Sequence, residues 1–220
     1  MPQSQEKTTT PAFTRLPCHS TDYDVVVELV PPGAKVLDLG CGSGELLERL
    51  VREKQVCGRG LDIDPELVIR CVEKGLSVVQ GNLDEGLAQY SDKSFDWVVL
   101  NQTLQVTHRP AVVLREMLRV GRTGIVSFPN FAYWRARSQL LFRGRMPISR
   151  TLPFPWYSTP NIHLPTIRDF RRLCRQTGGR IIKEIYRSSG RRRRTGFMAN
   201  LLSEEAIFVL ASADLSRSNG

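Results

Sequence analysis

The sequence predicts an α/β fold in which helices cover both faces of a mostly parallel sheet. Short apolar runs rich in β-branched residues alternate with segments whose apolar residues repeat at helical spacing. The connections between them are short, and such alternation is typical of parallel strands joined by helices. The first strand also runs into a glycine-rich turn that opens a helix, as in ligand-binding α/β sheets.

The predicted elements follow one another along the chain with local start and stop signals. Strands are predicted at 35–39, 58–63, 76–80, 95–101, 124–128, 180–187 and 206–211, the last two antiparallel. Helices are predicted at 25–30, 45–51, 65–74, 110–120, 132–142 and 166–177. Asp64 before Pro65 is a helix start, and Thr166 with Asp169 forms a capping box. The arginine run 191–194 is expected to separate the two final strands.

The length indicates one elaborated domain, because 220 residues exceed the roughly 150 of a typical domain by less than half. Residues 1–21 are expected to form a polar, flexible tail, and residues 213–220 a frayed C-terminus. The domain itself is predicted over 22–212. An aromatic and proline-rich insertion at 130–165 interrupts its alternation of strands and helices.

The composition is that of a soluble globular protein, with 41% hydrophobic and 24% charged residues. No apolar run approaches the ~18 residues that cross a membrane, and the polar N-terminus predicts no secretory signal. Five cysteines without a C-x-x-C spacing argue against a disulfide framework and a zinc ribbon, and favour the reducing cytoplasm. Three histidines far apart in sequence predict no metal site.

Charge is unevenly distributed along the chain. Residues 1–110 carry a net charge of −5 and residues 111–220 a net charge of +14. This asymmetry indicates an anionic partner, which could be an acidic protein face, a nucleic acid or a phosphorylated substrate. The alternative is a solvated surface that happens to be rich in arginine.

The glycine-rich turn after the first strand is the richest local signal. Glycines permit tight turns and close approach of a ligand, and the N-terminus of the following helix favours a carboxylate or phosphate. A dinucleotide fingerprint would need glycine where Glu45 stands, and the Lys-Ser/Thr pair of a P-loop is missing. The sequence from Asp38 to Gly44 reads D-x-G-x-G-x-G, which resembles class I S-adenosylmethionine (SAM)-dependent methyltransferases.

That resemblance implies a seven-stranded sheet of order 3-2-1-4-5-7-6 and a site for SAM or S-adenosylhomocysteine (SAH). In it, the carboxylate of Asp62 would hold the ribose hydroxyls, and the loop 81–84 would contact adenine. The implied cofactor-binding residues are Asp38, Gly40, Cys41, Gly42, Gly44, Asp62, Ile63, Asn82, Leu83, Asn101 and Gln102. The alternative is that Asp62 and Asp64 only cap a helix and that the glycines only turn the chain.

Five further segments are similar to those of the methionine biosynthesis protein MetW family. They are 81–87 (GNLDEGL), 102–105 (QTLQ), 127–131 (SFPNF), 144–147 (GRMP) and 156–163 (WYSTPNIH). The resemblance spans roughly 22–187, and the last two segments are more specific than the glycine turn. It implies methionine biosynthesis in the cytoplasm and a partnership with a homoserine O-acyltransferase (MetX), but no particular methyl acceptor. Asn82 departs from the family, which usually has an acidic residue there.

The sequence contains no motif for a methyl acceptor, so the catalytic residues stay unassigned. His163 is the one candidate for a general base, and a structural histidine is the alternative. Cys41 lies within the cofactor turn, which favours packing over a nucleophilic role. Asn130 and Asn161 each follow a proline, and either could bind a substrate or satisfy backbone groups in a loop.

The insertion 130–165 is too long and too apolar for a passive connection. It holds 7 of the 17 aromatic residues and 5 of the 13 prolines. Aromatic and arginine side chains together are typical of protein interfaces, although they could also form a lid over the cofactor. Single-stranded RNA would suit the same composition, but no RNA-binding motif accompanies it. The residues expected to contact a partner or substrate are Asn130, Trp134, Arg137, Trp156, Tyr157, Asn161 and His163.

The sequence is compatible with two functions. In the first, the protein is a SAM-binding accessory that supports or regulates the acylation of homoserine. In the second, it is a methyltransferase that acts on a small molecule. The missing acceptor motif favours the first.

Overall fold

A computed structural model describes residues 20–189, 191–193, 196 and 198–212. Eight strands form one sheet of order β3-β2-β1-β4-β5-β8-β6-β7. The strands are β1 (Lys35–Leu39), β2 (Cys57–Asp62), β3 (Val78–Gln80), β4 (Phe95–Asn101), β5 (Gly121–Pro129), β6 (Gly179–Ser188), β7 (Arg191–Arg193) and β8 (Glu205–Ser212). The first five are parallel, and β8 lies antiparallel between β5 and β6.

Seven α-helices accompany this sheet in the described residues. They are α1 (Ser20–Leu29), α2 (Glu45–Lys54), α3 (Pro65–Glu73), α4 (Pro110–Val120), α5 (Trp134–Arg143), α6 (Ile167–Gln176) and α7 (Ala199–Leu202). Two 3-10 turns, Leu83–Glu85 and Leu104–Val106, follow β3 and β4. None of the helices in this part of the chain is long and apolar enough to cross a membrane.

The predicted strand order is confirmed, with one strand more than expected. The arginine run was predicted to separate the final strands, but its first three residues form β7, which pairs antiparallel with the end of β6. Three arginines carry no apolar alternation, and Arg191 and Arg192 are exposed, so pairing with a neighbouring strand decides the conformation of this segment. Arg194 lies outside the described residues, as do residues 1–19 of the predicted tail and 213–220. Ser20 and Thr21, assigned to that tail, belong to α1.

Two apolar clusters cover opposite faces of the sheet, because successive strand residues point to opposite sides. Val99, Ile125 and Ile207 pack with α1 and α2 on one face. Val98, Val126 and Phe208 pack with α4 and α6 on the other face. These buried positions explain why the central strands could be predicted from sequence. The site described below lies at the edge where the parallel strands end.

The insertion leaves the domain after β5 and returns to it at α6. Its two ends meet, since the backbone N–H of Phe131 donates a hydrogen bond to the carbonyl of Pro165 at 3.1 Å. Between these ends the chain forms α5 and then irregular structure through residue 166. The insertion is therefore anchored at its base, beside the end of β5.

Candidate cofactor site

The glycine turn connects the end of β1 to the N-terminus of α2. Gly40, Gly42 and Gly44 have φ angles of 70°, 61° and 76°, in the left-handed region that favours glycine. Gly44 is the N-cap of α2 and has no side chain with which to cap the first N–H groups of the helix. A Cβ added at Gly44 would lie 2.5 Å from Leu76 Cδ1. Backbone conformation and close packing therefore both require glycine at this position.

Asp62 ties this turn to the end of β2. Its Oδ2 accepts a hydrogen bond from the N–H of Gly42 at 2.7 Å, and its Oδ1 accepts one from the N–H of Asp64 at 3.1 Å. The N–H of Gly40 also donates to the carbonyl of Leu61 at 2.7 Å. Asp62 is only 4% exposed. The carboxylate is thus held in one orientation beside the glycine turn.

The two residues that follow Asp62 differ in their surroundings. Asp64 caps α3, since its Oδ1 accepts a hydrogen bond from the N–H of Glu66 at 2.9 Å. Ile63 lies between the two acids and is exposed. An exposed isoleucine next to a buried carboxylate offers an apolar surface for a flat ring.

The loop 81–84 lies against the same strand end, because the N–H of Gly81 donates to the carbonyl of Asp62 at 2.9 Å. The side chain of Asn82 caps the following 3-10 turn by accepting from the N–H of Asp84 at 3.0 Å. Leu83 is buried in the core. The local cap already uses the Asn82 carbonyl, so contact with adenine at this position stays a prediction.

The end of β4 forms the other side of the site. The buried side chain of Asn101 accepts a hydrogen bond from the hydroxyl of Ser127 on β5. Gln102 has a φ of 52°, which is uncommon for a residue other than glycine. Its N–H donates to the carbonyl and the hydroxyl of Ser127, both at 3.1 Å. Such a conformation persists only where the surroundings fix it, which is typical of functional sites.

Two cysteines pack at the glycine turn, Cys41 within it and Cys71 on α3. Cys41 is buried, and the thiol of Cys71 donates to the carbonyl of Gly42 at 3.1 Å. Burial raises the pKa of the Cys71 thiol, so it stays protonated at neutral pH. Asp38 is buried at the end of β1. These contacts favour a packing role for both thiols.

The side chain of Asn130 forms hydrogen bonds with backbone groups at the base of the insertion. It is buried, and its amide nitrogen donates to the carbonyls of Asn200 at 3.0 Å and Ser203 at 2.8 Å. Its side-chain oxygen accepts from the N–H groups of Ala132 and Ile167 at 3.2 and 3.4 Å. Of the two interpretations of this residue, the contacts favour satisfaction of loop backbone groups.

Replacement of Asn130 by alanine is therefore expected to lower the free energy of unfolding by about 2–4 kcal/mol, because the buried carbonyl of Ser203 and the partly buried carbonyl of Asn200 lose their donors. Urea denaturation measures this difference. Asn200→Ala is the matched control, since it keeps the carbonyl that Asn130 contacts, and we expect it to cost below about 1 kcal/mol. An Asn130→Ala protein as stable as the parent would contradict the structural role.

The aromatic residues of the insertion are mostly exposed. Trp156 and Tyr157 are 71% and 75% exposed, and their rings meet edge to face. Trp134 is partly covered by the guanidinium of Arg135, 5.4 Å from the ring centroid. The Arg137 side chain turns back to the carbonyl of Ala132. We define the insertion surface as the exposed side chains of Trp134, Leu141, Phe142, Trp156 and Tyr157.

Asn161 and His163 lie elsewhere in the insertion, against the 3-10 turn that follows β4. The N–H of His163 donates to the carbonyl of Gln105 at 3.0 Å. Gln105 is fully buried, and its amide nitrogen donates to the carbonyl of Gln102 at 3.0 Å. In the sequence, Gln105 stands out only as part of the family segment 102–105. Its burial could not be predicted from the sequence, because glutamine side chains are mostly exposed in folded proteins.

Residues 20–210 match the family model of the methionine biosynthesis protein MetW. The chain belongs to this family. A relative from Rhodopirellula baltica, the bifunctional methionine biosynthesis protein MetXA/MetW, is 37% identical over 176 residues. The match covers 76% of this MetW-family chain but only 28% of the relative.

Other relatives share part of the domain. The ubiquinone biosynthesis O-methyltransferase of Xanthomonas campestris is 33% identical over 141 residues, which are 60% of this chain and 57% of that protein. An S-adenosylmethionine-dependent methyltransferase from Mesorhizobium loti has a TM-score of 0.64 at 16% identity, covering 86% of this chain and 97% of that one. Magnesium protoporphyrin IX methyltransferase from Synechocystis, solved with bound SAH, has a TM-score of 0.62 at 18% identity and covers 88% and 83%. The predicted class I SAM-dependent methyltransferase fold is confirmed.

Proposed function

We propose that this MetW-family chain binds SAM or SAH at the candidate cofactor site and acts as the accessory or regulatory partner of a homoserine O-acyltransferase. The observation that carries the partnership is the relative whose single chain is named for both MetXA and MetW. This chain corresponds to 28% of that bifunctional relative, which leaves most of the relative's length for a second activity. Because MetXA and MetW are joined in one polypeptide there, we infer that they also associate where they are separate proteins.

The residues of the candidate site suit the chemistry of SAM. The uncapped N-terminus of α2 offers N–H groups and a partial positive charge to the carboxylate of the methionine end. Asp62 presents a fixed acceptor for two ribose hydroxyls, and exposed Ile63 offers an apolar face to adenine. SAM carries no phosphate, so Glu45 in the first turn of α2 would not repel it as it would a pyrophosphate. Bound SAM would supply a positively charged sulfonium with a transferable methyl group.

A regulatory role follows from the chemistry of the pathway. Acylation of homoserine feeds methionine synthesis, and methionine is the precursor of SAM. A partner that binds SAM could therefore report the level of the end product to the acyltransferase. We place this function in the cytoplasm, because none of the four cysteines that the structure describes, Cys41, Cys57, Cys71 and Cys174, forms a disulfide, as expected in a reducing compartment.

The insertion surface is the proposed contact with the acyltransferase. Exposed apolar side chains in contact with one another are typical of interaction sites, as with the rings of Trp156 and Tyr157, and aromatic residues are enriched among the residues that dominate binding. Phe142 is 82% exposed, and Arg143 and Arg145 follow it directly. The basic second half of the chain suits an acidic protein face at the rim of such an interface.

Co-purification tests the proposed function. We expect the tagged chain to retain the homoserine O-acyltransferase encoded in the same genome, and the retained amount or the acyltransferase rate to change when SAM is added. An acyltransferase from an unrelated pathway serves as the control for non-specific capture. Absence of a complex at micromolar concentrations, both with and without SAM, would contradict the partnership.

A second candidate function is methyl transfer to a small molecule. It is favoured by the ubiquinone biosynthesis O-methyltransferases that are 33–36% identical over parts of the domain. His163 would then serve as the general base for an acceptor that must lose a proton. Transfer of a labelled methyl group from SAM into small molecules of a cell extract would support this alternative. Transfer into RNA would instead support an RNA methyltransferase, the function that the sequence favours least.

A further inference from the structure

The chain between β4 and α4 forms a turn, residues 102–109, which we call the post-β4 turn. Gln105 within it is fully buried. Its backbone carbonyl accepts hydrogen bonds from the N–H groups of Ile162 and His163 in the insertion, at 2.9 and 3.0 Å. Its side-chain amide nitrogen donates to the carbonyl of Gln102, which directly follows β4, at 3.0 Å. One buried residue therefore contacts both the end of β4 and the insertion.

Side-chain hydrogen bonds fix the shape of the post-β4 turn. The hydroxyl of buried Thr103 donates to the carbonyl of Asn101 at 2.9 Å. The hydroxyl of Thr107, which is also buried, donates to the carbonyl of Leu104 at 2.9 Å. Such bonds are costly to break, because a buried group that loses its partner does not gain a water molecule in return. We therefore expect the turn to move as a unit.

Two parts of the candidate cofactor site hold the two ends of this turn. At its start, the N–H of Gln102 donates to the carbonyl and the hydroxyl of Ser127, and the residue keeps its uncommon φ of 52°. At its end, the carboxylate of Asp84 accepts hydrogen bonds from the N–H groups of His108 at 3.0 Å and Arg109 at 2.7 Å. Asp84 belongs to the loop proposed to contact adenine. A ligand that restrains this loop or the end of β4 therefore also restrains the turn.

The insertion segment on the other side of Gln105 carries two exposed aromatic rings. Trp156 and Tyr157 each precede by six residues one of the N–H groups that contact Gln105. A local turn lies between them and these contacts, since the N–H of Ser158 donates to the carbonyl of Pro155 at 3.1 Å. The segment that carries the rings is therefore fixed to the domain at Gln105.

We propose that Gln105 is a positioning residue through which SAM or SAH, bound at the candidate cofactor site, fixes the insertion segment 155–163. A ligand that restrains both ends of the post-β4 turn leaves Gln105 less freedom, so the N–H groups of Ile162 and His163 keep their acceptor for more of the time. This inference rests on the proposed function and names its regulation, since occupancy by the cofactor would change how the aromatic rings meet a partner. Such coupling is reciprocal, so a partner that holds the segment should also tighten the binding of SAH.

Amide hydrogen exchange of the full chain, measured residue by residue by NMR with and without saturating SAH, tests this coupling. The N–H groups of Ile162 and His163 are the donors to Gln105, so their exchange rates report how often these hydrogen bonds open. We expect SAH to slow both rates about fivefold or more, which is the lower end of usual coupling between sites. The N–H of Ser149, which donates to the carbonyl of Leu152 within the insertion, is the internal reference and should exchange at an unchanged rate.

Gln105→Met distinguishes coupling through Gln105 from direct coverage of the segment by the ligand. Methionine is flexible and of similar length but lacks the N–H donor to Gln102, so the slowing by saturating SAH should be lost while the melting temperature stays near that of the parent. Thr107→Val is the matched control. It removes the hydrogen bond to Leu104 within the same turn and leaves both contacts of Gln105 in place, so it should keep the slowing.

The outcomes separate this inference from the proposed function. Failure of SAH to bind would contradict the cofactor site and overturn the coupling with it. If SAH binds but the Ile162 and His163 amides exchange as before, the coupling alone is overturned, and this measurement needs no variant. Slowing that persists in Gln105→Met would show direct coverage by the ligand, and slowing that is also lost in Thr107→Val would assign the effect to the turn as a whole. Either result overturns the role of Gln105.

Discussion

Replacement of Asp62 by alanine is expected to weaken the binding of SAH at least a hundredfold. The substitution removes the acceptor proposed for two ribose hydroxyls, and hydrogen bonds to a charged group contribute about 1.5–3 kcal/mol each. Two such bonds correspond to a factor of about a hundred or more, since 1.4 kcal/mol is a factor of ten. The same substitution frees the N–H of Gly42, which Asp62 holds at 2.7 Å, so the glycine turn also loses its fixed shape. Isothermal titration calorimetry measures the affinity.

Asp64→Ala is the matched control for this experiment. Asp64 is a carboxylate two residues away that caps α3, and its backbone N–H, which contacts Asp62, is kept in the variant. We expect it to cost about 1 kcal/mol of stability, as is usual for a lost N-cap, and to bind SAH nearly as the parent does. Unchanged SAH affinity in Asp62→Ala, with the fold intact, would remove Asp62 from the site. Binding of NADH in place of SAH would contradict the SAM assignment as a whole.

The parts of the fold that could be predicted from sequence are those whose signal is local. Strand β1 and helix α4 were predicted with the bounds that the structure gives them, because buried apolar residues define β1 and Pro110 and Gly121 delimit α4. Strand β7 and helix α7 were missed. Each is short and depends on its surroundings, since β7 exists only through pairing with β6.

The residues of the candidate site also differ in how far they could be predicted from the sequence. The glycine turn and Asp62 could be predicted because they lie at the ends of strands that sequence alone defines. The role of Asn130 could not be decided, because the carbonyls that it contacts belong to Asn200 and Ser203, some seventy residues further along the chain. The burial of Gln105 could not be predicted for the same reason, since its backbone contacts come from residues 162 and 163. Hydrogen bonds of this range depend on the completed fold.

The insertion surface leads to the second large expected effect, which tests the proposed docking of the acyltransferase. Trp156→Ala and Phe142→Ala should each weaken association with the acyltransferase about thirtyfold or more, because truncation of a central aromatic anchor usually costs 2 kcal/mol or more. Both side chains are largely exposed, at 71% and 82%, so their loss should leave the melting temperature unchanged. SAH affinity should also be unchanged, since both side chains are largely exposed and the glycine turn is held by Asp62 instead. Surface plasmon resonance with immobilised acyltransferase measures these affinities.

The control must be an equally exposed apolar surface elsewhere on the domain. Ile69 and Val72 on α3 are 58% and 57% exposed, and Ile69→Ala with Val72→Ala should leave association as in the parent. If the insertion is instead a lid over the cofactor, the Trp156 and Phe142 variants should lose SAH affinity or turnover while the complex stays intact. Trp134 is less exposed and contacts Arg135, so we expect its truncation to have a smaller effect than that of Trp156. Capture of the acyltransferase by both single variants and by the double variant at the parent's level would refute docking through these anchors.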